Sequence, residues 1–74
     1  MNNFYFITHE KRQNSQYTHV IAQDENLAIQ VFNRFSINKP FKYISETRPK
    51  APAKLTETLT VNLFIRNQIK NKKR

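Results

Sequence analysis

Cysteine, glycine and tryptophan are all absent from this chain of 74 residues. Without cysteine the chain can form no disulfide, no thiolate metal site and no cysteine nucleophile. Without glycine it lacks the phosphate-binding loops, dinucleotide-binding fingerprints and nucleophile elbows in which the backbone must approach a ligand closely. The apolar run near the N-terminus is only Phe4-Tyr5-Phe6-Ile7, which is too short for a signal peptide or a membrane span. We therefore expect a soluble cytoplasmic protein that needs no cofactor.

The length allows one small domain. A chain of this size buries only about 60% of the surface that its unfolded form exposes, so it has little room for an enclosed active site. Hydrophobic residues make up 38% of the chain and charged residues 24%, as in folded domains rather than disordered tails. We expect a single domain over residues 1–66, a basic tail over residues 67–74, and no enzymatic activity.

Positive charge is concentrated on the C-terminal side of the sequence. Residues 1–47 contain five basic and four acidic side chains, whereas residues 48–74 contain eight basic side chains and Glu57 as the only acid. The later segment thus carries +7 of the net charge of +8. A near-neutral body with a basic C-terminal third is typical of a protein that binds a polyanion.

Two runs of aromatic and β-branched residues, Phe4–His9 and Tyr17–Ala22, predict the strands of a β-hairpin. The polar segment between them suits a turn, and we expect its centre at Asn14 because asparagine tolerates turn geometry. A turn centred there would place His9 opposite His19.

A helix is predicted directly after the hairpin. Asp24 can cap its N-terminus by accepting hydrogen bonds from free amides of the first turn. Asn38 can adopt the left-handed conformation that ends a helix, and Pro40 prevents continuation. Between these limits the apolar residues follow the spacing of a buried helical stripe: Leu27, Ala28, Val31, Phe32 and Phe35.

The last two predicted strands flank a proline-rich connector. Residues 41–46 read as a strand, and residues 48–54 contain two prolines and three basic residues, typical of an extended linker. Residues 58–66 largely alternate apolar and polar side chains, and their threonine content favours a strand over a helix. The alternative is a helix with Leu55, Leu59 and Leu63 on one side.

These elements predict an α+β fold in the order β-β-α-β-β, with an antiparallel sheet and one helix across a single face. The core would be thin, so self-association as a homodimer through an edge strand or the open face is compatible with this fold. The strand residues expected to face the helix are Phe4, Phe6, Val20, Ala22 and the alternating Leu59, Val61, Leu63 and Ile65.

The sheet face away from the predicted helix would present Tyr5, Tyr17 and His19. Rings on an open sheet near basic residues are platforms on which the bases of a single-stranded nucleic acid can stack. The alternative is that these rings only cover the sheet or form a dimer contact. His9 and His19 alone are too few ligands for a structural zinc site, and no nucleophile has a supporting arrangement. We therefore expect no metal and no catalytic residue.

The basic residues of the C-terminal third are candidate phosphate contacts. Their charges can neutralise phosphates and supply salt-dependent affinity, with a solubilising tail as the simpler alternative. A membrane-surface helix would need an apolar face, which Ile69 alone does not provide. The candidate residues are Lys50, Lys54, Arg66, Lys70, Lys72, Lys73 and Arg74.

Four segments, Phe4–Ile7, Thr18–Asp24, Leu27–Ile29 and Phe41–Ile44, follow one another as strand, strand, capped helix and strand. This layout over residues 4–46 resembles that of small phage-borne proteins such as compact anti-CRISPR proteins. The resemblance implies a stoichiometric inhibitor that docks on a nucleic-acid-binding host complex, and it assigns no functional residue. The basic C-terminal third departs from the acidic nucleic-acid mimics in that group.

The leading hypothesis is a non-enzymatic module that binds nucleic acid or a nucleoprotein complex through its basic C-terminal third. The alternative is a phage or mobile-element inhibitor that binds a host protein complex by its sheet face or an edge strand, its charge complementing an acidic patch. A structural or assembly subunit is the third hypothesis.

Overall fold

The computed structural model describes residues 1–50 and 52–62, which form four strands and one helix. The predicted α+β class is confirmed, and the helix within these residues packs on the sheet. No helix within these residues is long and apolar enough to cross a membrane. In chain order the elements are β1 (Asn2–His9), β2 (Gln16–Ala22), α1 (Glu25–Phe35), β3 (Tyr43–Ser45) and β4 (Lys54–Thr60).

β1 and β2 form the predicted antiparallel hairpin, but its register differs from the prediction. Tyr5 lies opposite His19, and His9 pairs with Gln16. The predicted pairing of His9 with His19 is therefore wrong by four positions along β1. Because four is an even number, the paired residues from Asn2 to Ile7 keep their expected face of the sheet, and a register shift of one residue follows between Ile7 and His9.

The hairpin turn lies earlier than the predicted centre at Asn14. The backbone carbonyl of Lys11 accepts hydrogen bonds from the backbone N–H of Asn14 (3.2 Å) and from the hydroxyl of Ser15 (2.9 Å). These two bonds to one carbonyl place the chain reversal at Arg12 and Gln13. The earlier reversal shifts the register by three positions, and the bulge between Ile7 and His9 adds the fourth.

Asp24 caps α1 as predicted, since its Oδ1 atom accepts a hydrogen bond from the backbone N–H of Leu27 at 2.9 Å. The C-terminus of the helix differs from the prediction. Ser36 has extended backbone angles (φ −74°, ψ 140°) and donates its N–H to the carbonyl of Phe32 at 2.9 Å. No residue in the described ranges has a positive φ, so the predicted left-handed end at Asn38 is wrong.

The strand order is β3-β1-β2-β4, with β1 antiparallel to both neighbours and β4 parallel to β2. The predicted wholly antiparallel sheet is therefore wrong. β3 spans only Tyr43–Ser45, within the predicted 41–46, and lies on the opposite edge from β4. The connector after β3 returns the chain to the end of the sheet where β2 begins. β4 therefore starts at Lys54 beside Gln16 and runs in the same direction as β2.

β4 begins earlier than the predicted strand at 58–66. Lys54, which the sequence assigns to the connector, is its first residue. The alternative helix is wrong for the residues of this strand. Leu59 is buried in the core as predicted, whereas Leu63 and Ile65 lie outside the described residues.

A polar cluster joins the loop after α1 to β4 and accounts for the early start of that strand. The Oε2 atom of Glu57 accepts hydrogen bonds from the Ser36 hydroxyl (2.7 Å) and the backbone N–H of Ile37 (3.0 Å). The side-chain amide of Asn38 donates to the same oxygen (2.8 Å) and to the hydroxyl of Thr56 (2.8 Å). These polar groups are satisfied because residues 56 and 57 lie in a strand beside β2.

The main core lies between α1 and one face of the sheet, here called the helix face. The rings of Phe6 and Phe32 stack with 4.5 Å between their centroids, and Phe41 meets Phe6 edge-on at 4.8 Å. The predicted strand residues and helix stripe supply this core. Its buried members are Phe4, Phe6, Val20, Ala22, Ala28, Val31, Phe32 and Leu59.

The opposite face of the sheet, here called the connector face, is not open as predicted. Tyr5, Ile7 and Tyr17 form a second buried cluster, with exposed fractions of 8%, 4% and 5%. Ala53 packs against this cluster, and Pro49 lines the same cleft as Ile7 and Tyr17. The connector between β3 and β4 therefore crosses this face and covers the tyrosine rings.

Candidate functional site

The two ends of the sheet differ in charge. The hairpin turn and the starts of β2, β3 and β4 lie at one end, and the loop after α1 borders a cleft with Thr8 and Gln16 at that same end. Six exposed basic side chains come from these segments and the adjoining connector. We call them the basic end: Lys11, Arg12, Lys39, Lys42, Lys50 and Lys54.

Backbone hydrogen bonds anchor the segments that carry these charges. The N–H of Lys54 donates to the carbonyl of Ser15 at 2.8 Å, and the N–H of Lys42 donates to the carbonyl of Ile7 at 2.7 Å. Lys39 and Lys42 border the open cleft beside Thr8 and Gln16, which has a volume of about 510 Å³. The positions of the charges are thus set by the sheet, although the side chains themselves are exposed.

Two carboxylates lie nearest the basic end, and both accept hydrogen bonds. Glu10 accepts one from the hydroxyl of Tyr43 at 2.8 Å. Glu57 is held by the loop after α1 through the polar cluster described above. Six cations against two carboxylates leave an excess of positive charge, which attracts anions to this end of the protein.

The other end of the sheet, where β1 starts and β2 finishes, is acidic. Asp24 and Glu25 stand at the N-terminus of α1, where the helix dipole favours negative charge. Glu46 lines a cleft at this end with Asn2 and Asn3. We call Asp24, Glu25 and Glu46 the acidic end. The described part of the protein therefore has a charge gradient along its strands.

The structure places two of the predicted phosphate contacts, Lys50 and Lys54, in the basic end. The other five lie outside the described residues: Arg66, Lys70, Lys72, Lys73 and Arg74. Four members of the basic end were not among the predicted contacts: Lys11, Arg12, Lys39 and Lys42. In the charge summed over residues 1–47, four acidic side chains nearly offset the five basic ones, which include these four. These four residues become apparent once the hairpin turn and the end of the predicted helix are placed at the same end of the sheet.

Tyr5, Tyr17 and His19, the predicted stacking residues, form a packed group under the connector. The two tyrosine rings meet edge-on at 5.9 Å, and His19 stacks on Tyr5 with 4.9 Å between the ring centroids. His19 is half-buried, and its Nε2 atom lies 2.9 Å from Oδ1 of Asn3. Burial lowers the pKa of His19 below 6.5, and the positive charge of Arg48 lowers it further. The two tyrosine rings are therefore not open stacking platforms.

Tyr43 is the tyrosine whose ring is exposed, with an exposed fraction of 44%. The hydrogen bond from its hydroxyl to Glu10 raises the pKa of Tyr43, with further contributions from burial and from the negative charge of Glu10. Its side chain lines a cleft of about 250 Å³ together with Pro49 and Lys50. The structure thus puts an aromatic ring at the basic end, whereas the sequence pattern predicts only that Tyr43 lies in a strand.

The two histidines are separated by the hairpin register. His9 lies beside Gln16 and His19 beside Tyr5, so the imidazoles do not face each other as predicted. Within residues 1–50 and 52–62, no group of three or more histidine, aspartate and glutamate side chains is placed to hold a metal ion.

Comparison of the chain with protein-family models, with curated proteins and with solved structures finds no match. A function for this protein is therefore inferred from the chemistry of the site. Clustered, exposed ammonium and guanidinium groups bind anions, and an exposed aromatic ring beside them offers a flat apolar surface. The basic end combines these two features.

Proposed function

We propose that this protein is a small non-enzymatic module that binds nucleic acid, or a nucleoprotein complex, through its basic residues. The observation that best supports this proposal is the basic end, to which four separate segments contribute exposed cations. Lys50 and Lys54 belong to it. The basic residues from Arg66 to Arg74 extend the proposed phosphate contacts along the chain.

The proposed binding is electrostatic and therefore depends strongly on salt. Each cation that neutralises a phosphate of duplex DNA releases condensed counterions, which gives a slope of roughly −0.9 in log K against log salt. If all six side chains of the basic end contacted phosphates, the slope would be about −5. Phosphate contacts carry no base information, so we expect general affinity rather than a preferred sequence.

The acidic end gives the proposed interaction a direction. A polyanion is repelled by Asp24, Glu25 and Glu46 and attracted by the basic end, so it approaches along the axis of the strands. A binding site at one end of the protein gives such a preferred direction, whereas affinity due to net charge alone gives none. Removing equal charge from the basic end and from elsewhere on the surface distinguishes these two possibilities.

We expect Lys39→Gln/Lys42→Gln to weaken binding to generic DNA or RNA and to make the salt slope shallower by about 1.8. Both side chains border the cleft at the basic end. The control compares two single variants: Lys42→Gln removes one charge from the basic end, and Arg48→Gln removes one charge from an exposed residue outside it. The measurement is a fluorescence titration of labelled oligonucleotides at several salt concentrations.

Arg48→Gln should bind nearly as well as the parent protein and keep its salt slope, whereas Lys42→Gln should make the slope shallower by about 0.9. Equal losses in these two single variants would mean that net charge, rather than the basic end, produces the affinity. Absence of binding at low salt would refute the proposal.

Purification of the tagged protein from its host before and after nuclease treatment extends the test. A host protein complex retained after nuclease, without nucleic-acid affinity, would replace the proposal with the inhibitor hypothesis.

A further inference from the structure

Tyr43 combines exposure with a fixed orientation. Its side chain is 44% exposed, whereas Tyr5 and Tyr17 are buried under the connector. Its backbone lies in β3 opposite Ile7, and its hydroxyl donates to Glu10 at 2.8 Å. The ring is therefore held at both ends, so little conformational entropy is lost when a ligand packs against it.

Cations flank this ring. Lys42 precedes Tyr43 in the chain, and Lys50 lines the same cleft as the ring, together with Pro49 and Ala53. Lys42 lines the cleft beside Thr8 and Gln16, and the ring lines a different cleft. Lys42 and the ring therefore lie on either side of the β3 edge. One strand of nucleic acid passing this edge can place phosphates near Lys42 and Lys50 while a base lies on the ring.

We propose that the nucleic acid bound at the basic end is single-stranded and that Tyr43 stacks on one of its bases. This inference rests on the proposed function. In a duplex the bases stack on one another, whereas each base of a single strand has a free face for an aromatic side chain. A fixed, exposed ring among cations therefore adds affinity for a single strand and none for a duplex.

The test is fluorescence anisotropy with a labelled oligothymidine strand and with a mixed-sequence duplex of the same length. Tyr43→Ala and Tyr43→Leu should weaken single-strand binding about tenfold and leave duplex binding within about twofold. Tyr43→Phe keeps the ring and should bind the single strand within about twofold of the parent protein. Leucine is the matched control, because it keeps apolar volume without an aromatic face.

The salt slope should be the same in the parent protein and in Tyr43→Leu, because no phosphate contact is lost. Unchanged single-strand affinity in Tyr43→Leu overturns the inference, and so does an equal loss for the duplex. Thermal melts followed by circular dichroism check the fold. If Tyr43→Ala unfolds, the Phe and Leu variants decide the question.

The experiments give different results if this inference is wrong and if the proposed function is wrong. If only the inference fails, both nucleic acids still bind with steep salt dependence and both respond to Lys39→Gln/Lys42→Gln. If the proposed function fails, neither nucleic acid binds at low salt, and the Tyr43 variants behave like the parent protein.

Discussion

The two faces of the sheet are covered by different means. On the helix face, α1 packs a periodic apolar stripe against the strands, and Phe6 and Phe32 are completely buried. On the connector face, an extended segment crosses the strands and packs Ala53 against the tyrosine cluster. A small chain with a single helix in its described part thereby covers both faces of a four-stranded sheet.

The comparison shows that an extended segment can cover a sheet face in place of a helix, but with less apolar contact. Pro49 and Pro52 restrict the backbone of the connector, which reduces the entropy lost when it is ordered on the sheet. An extended segment nevertheless presents fewer apolar atoms to the sheet than a helix does. The helix face should therefore contribute more to the free energy of unfolding than the connector face.

The largest expected effect is on the helix face. Phe32→Ala should lower the free energy of unfolding by about 3–5 kcal/mol, because the ring is fully buried and stacks on Phe6. Chemical denaturation is the measurement. The neighbouring Asn33 is exposed, and Asn33→Ala should change stability by no more than about 0.5 kcal/mol. Similar denaturation midpoints for the two variants would contradict the assigned orientation of α1.

A smaller effect is expected on the connector face. Ile7→Ala should cost about 2–3 kcal/mol, since Ile7 is 4% exposed beneath the connector. The matched control is Ile37→Ala, because Ile37 is 84% exposed and its truncation should change stability by about 0.5 kcal/mol or less. A cost at Ile7 as large as that at Phe32 would remove the proposed difference between the faces.

The smallest expected effect is a pH dependence at His19, beside the connector. Burial and Arg48 lower the pKa of His19 in the folded protein, so the folded state binds a proton more weakly than the unfolded chain. Its contribution to stability is complete above the unfolded pKa of 6.5 and is lost as the pH falls through the folded pKa. A nuclear magnetic resonance titration of the imidazole should give a value below 6.5.

Two variants sharpen this last prediction. Arg48→Gln should raise the measured pKa of His19, because the positive charge nearby is removed. His19→Gln should reduce the loss of stability between about pH 7.5 and about pH 5. A titration midpoint at or above 6.5 in the parent protein would contradict the packing of His19 on Tyr5.

The helix and the faces of the hairpin could be predicted from the sequence because they depend on local patterns. The apolar spacing from Leu27 to Phe35 and the carboxylate of Asp24 define α1 without reference to the rest of the chain. The alternation in the hairpin assigns each residue to a face. The register could not be obtained in this way, because it depends on which carbonyl closes the turn, here that of Lys11.

The connector and the basic end could not be predicted because they depend on topology. A proline-rich segment has no hydrophobic period, so nothing in the sequence of the connector indicates that Pro49 and Ala53 lie beside Ile7 and Tyr17. The start of β4 likewise depends on distant partners, since Asn38 bonds to Glu57. The basic end is formed by separate segments, and a sum of charge along the chain cannot detect it.

The connector and β4 form one continuous stretch of chain, and this couples two protective roles. The stretch covers the tyrosine cluster of the connector face and also pairs with the outer edge of β2. We expect this stretch to open as one unit in native-state fluctuations, and its detachment would then uncover an apolar face and a row of unpaired backbone groups together. Such an edge is a template for pairing with another chain. We therefore expect the polar cluster that ties Glu57 to Asn38 to limit aggregation from the partly opened protein as well.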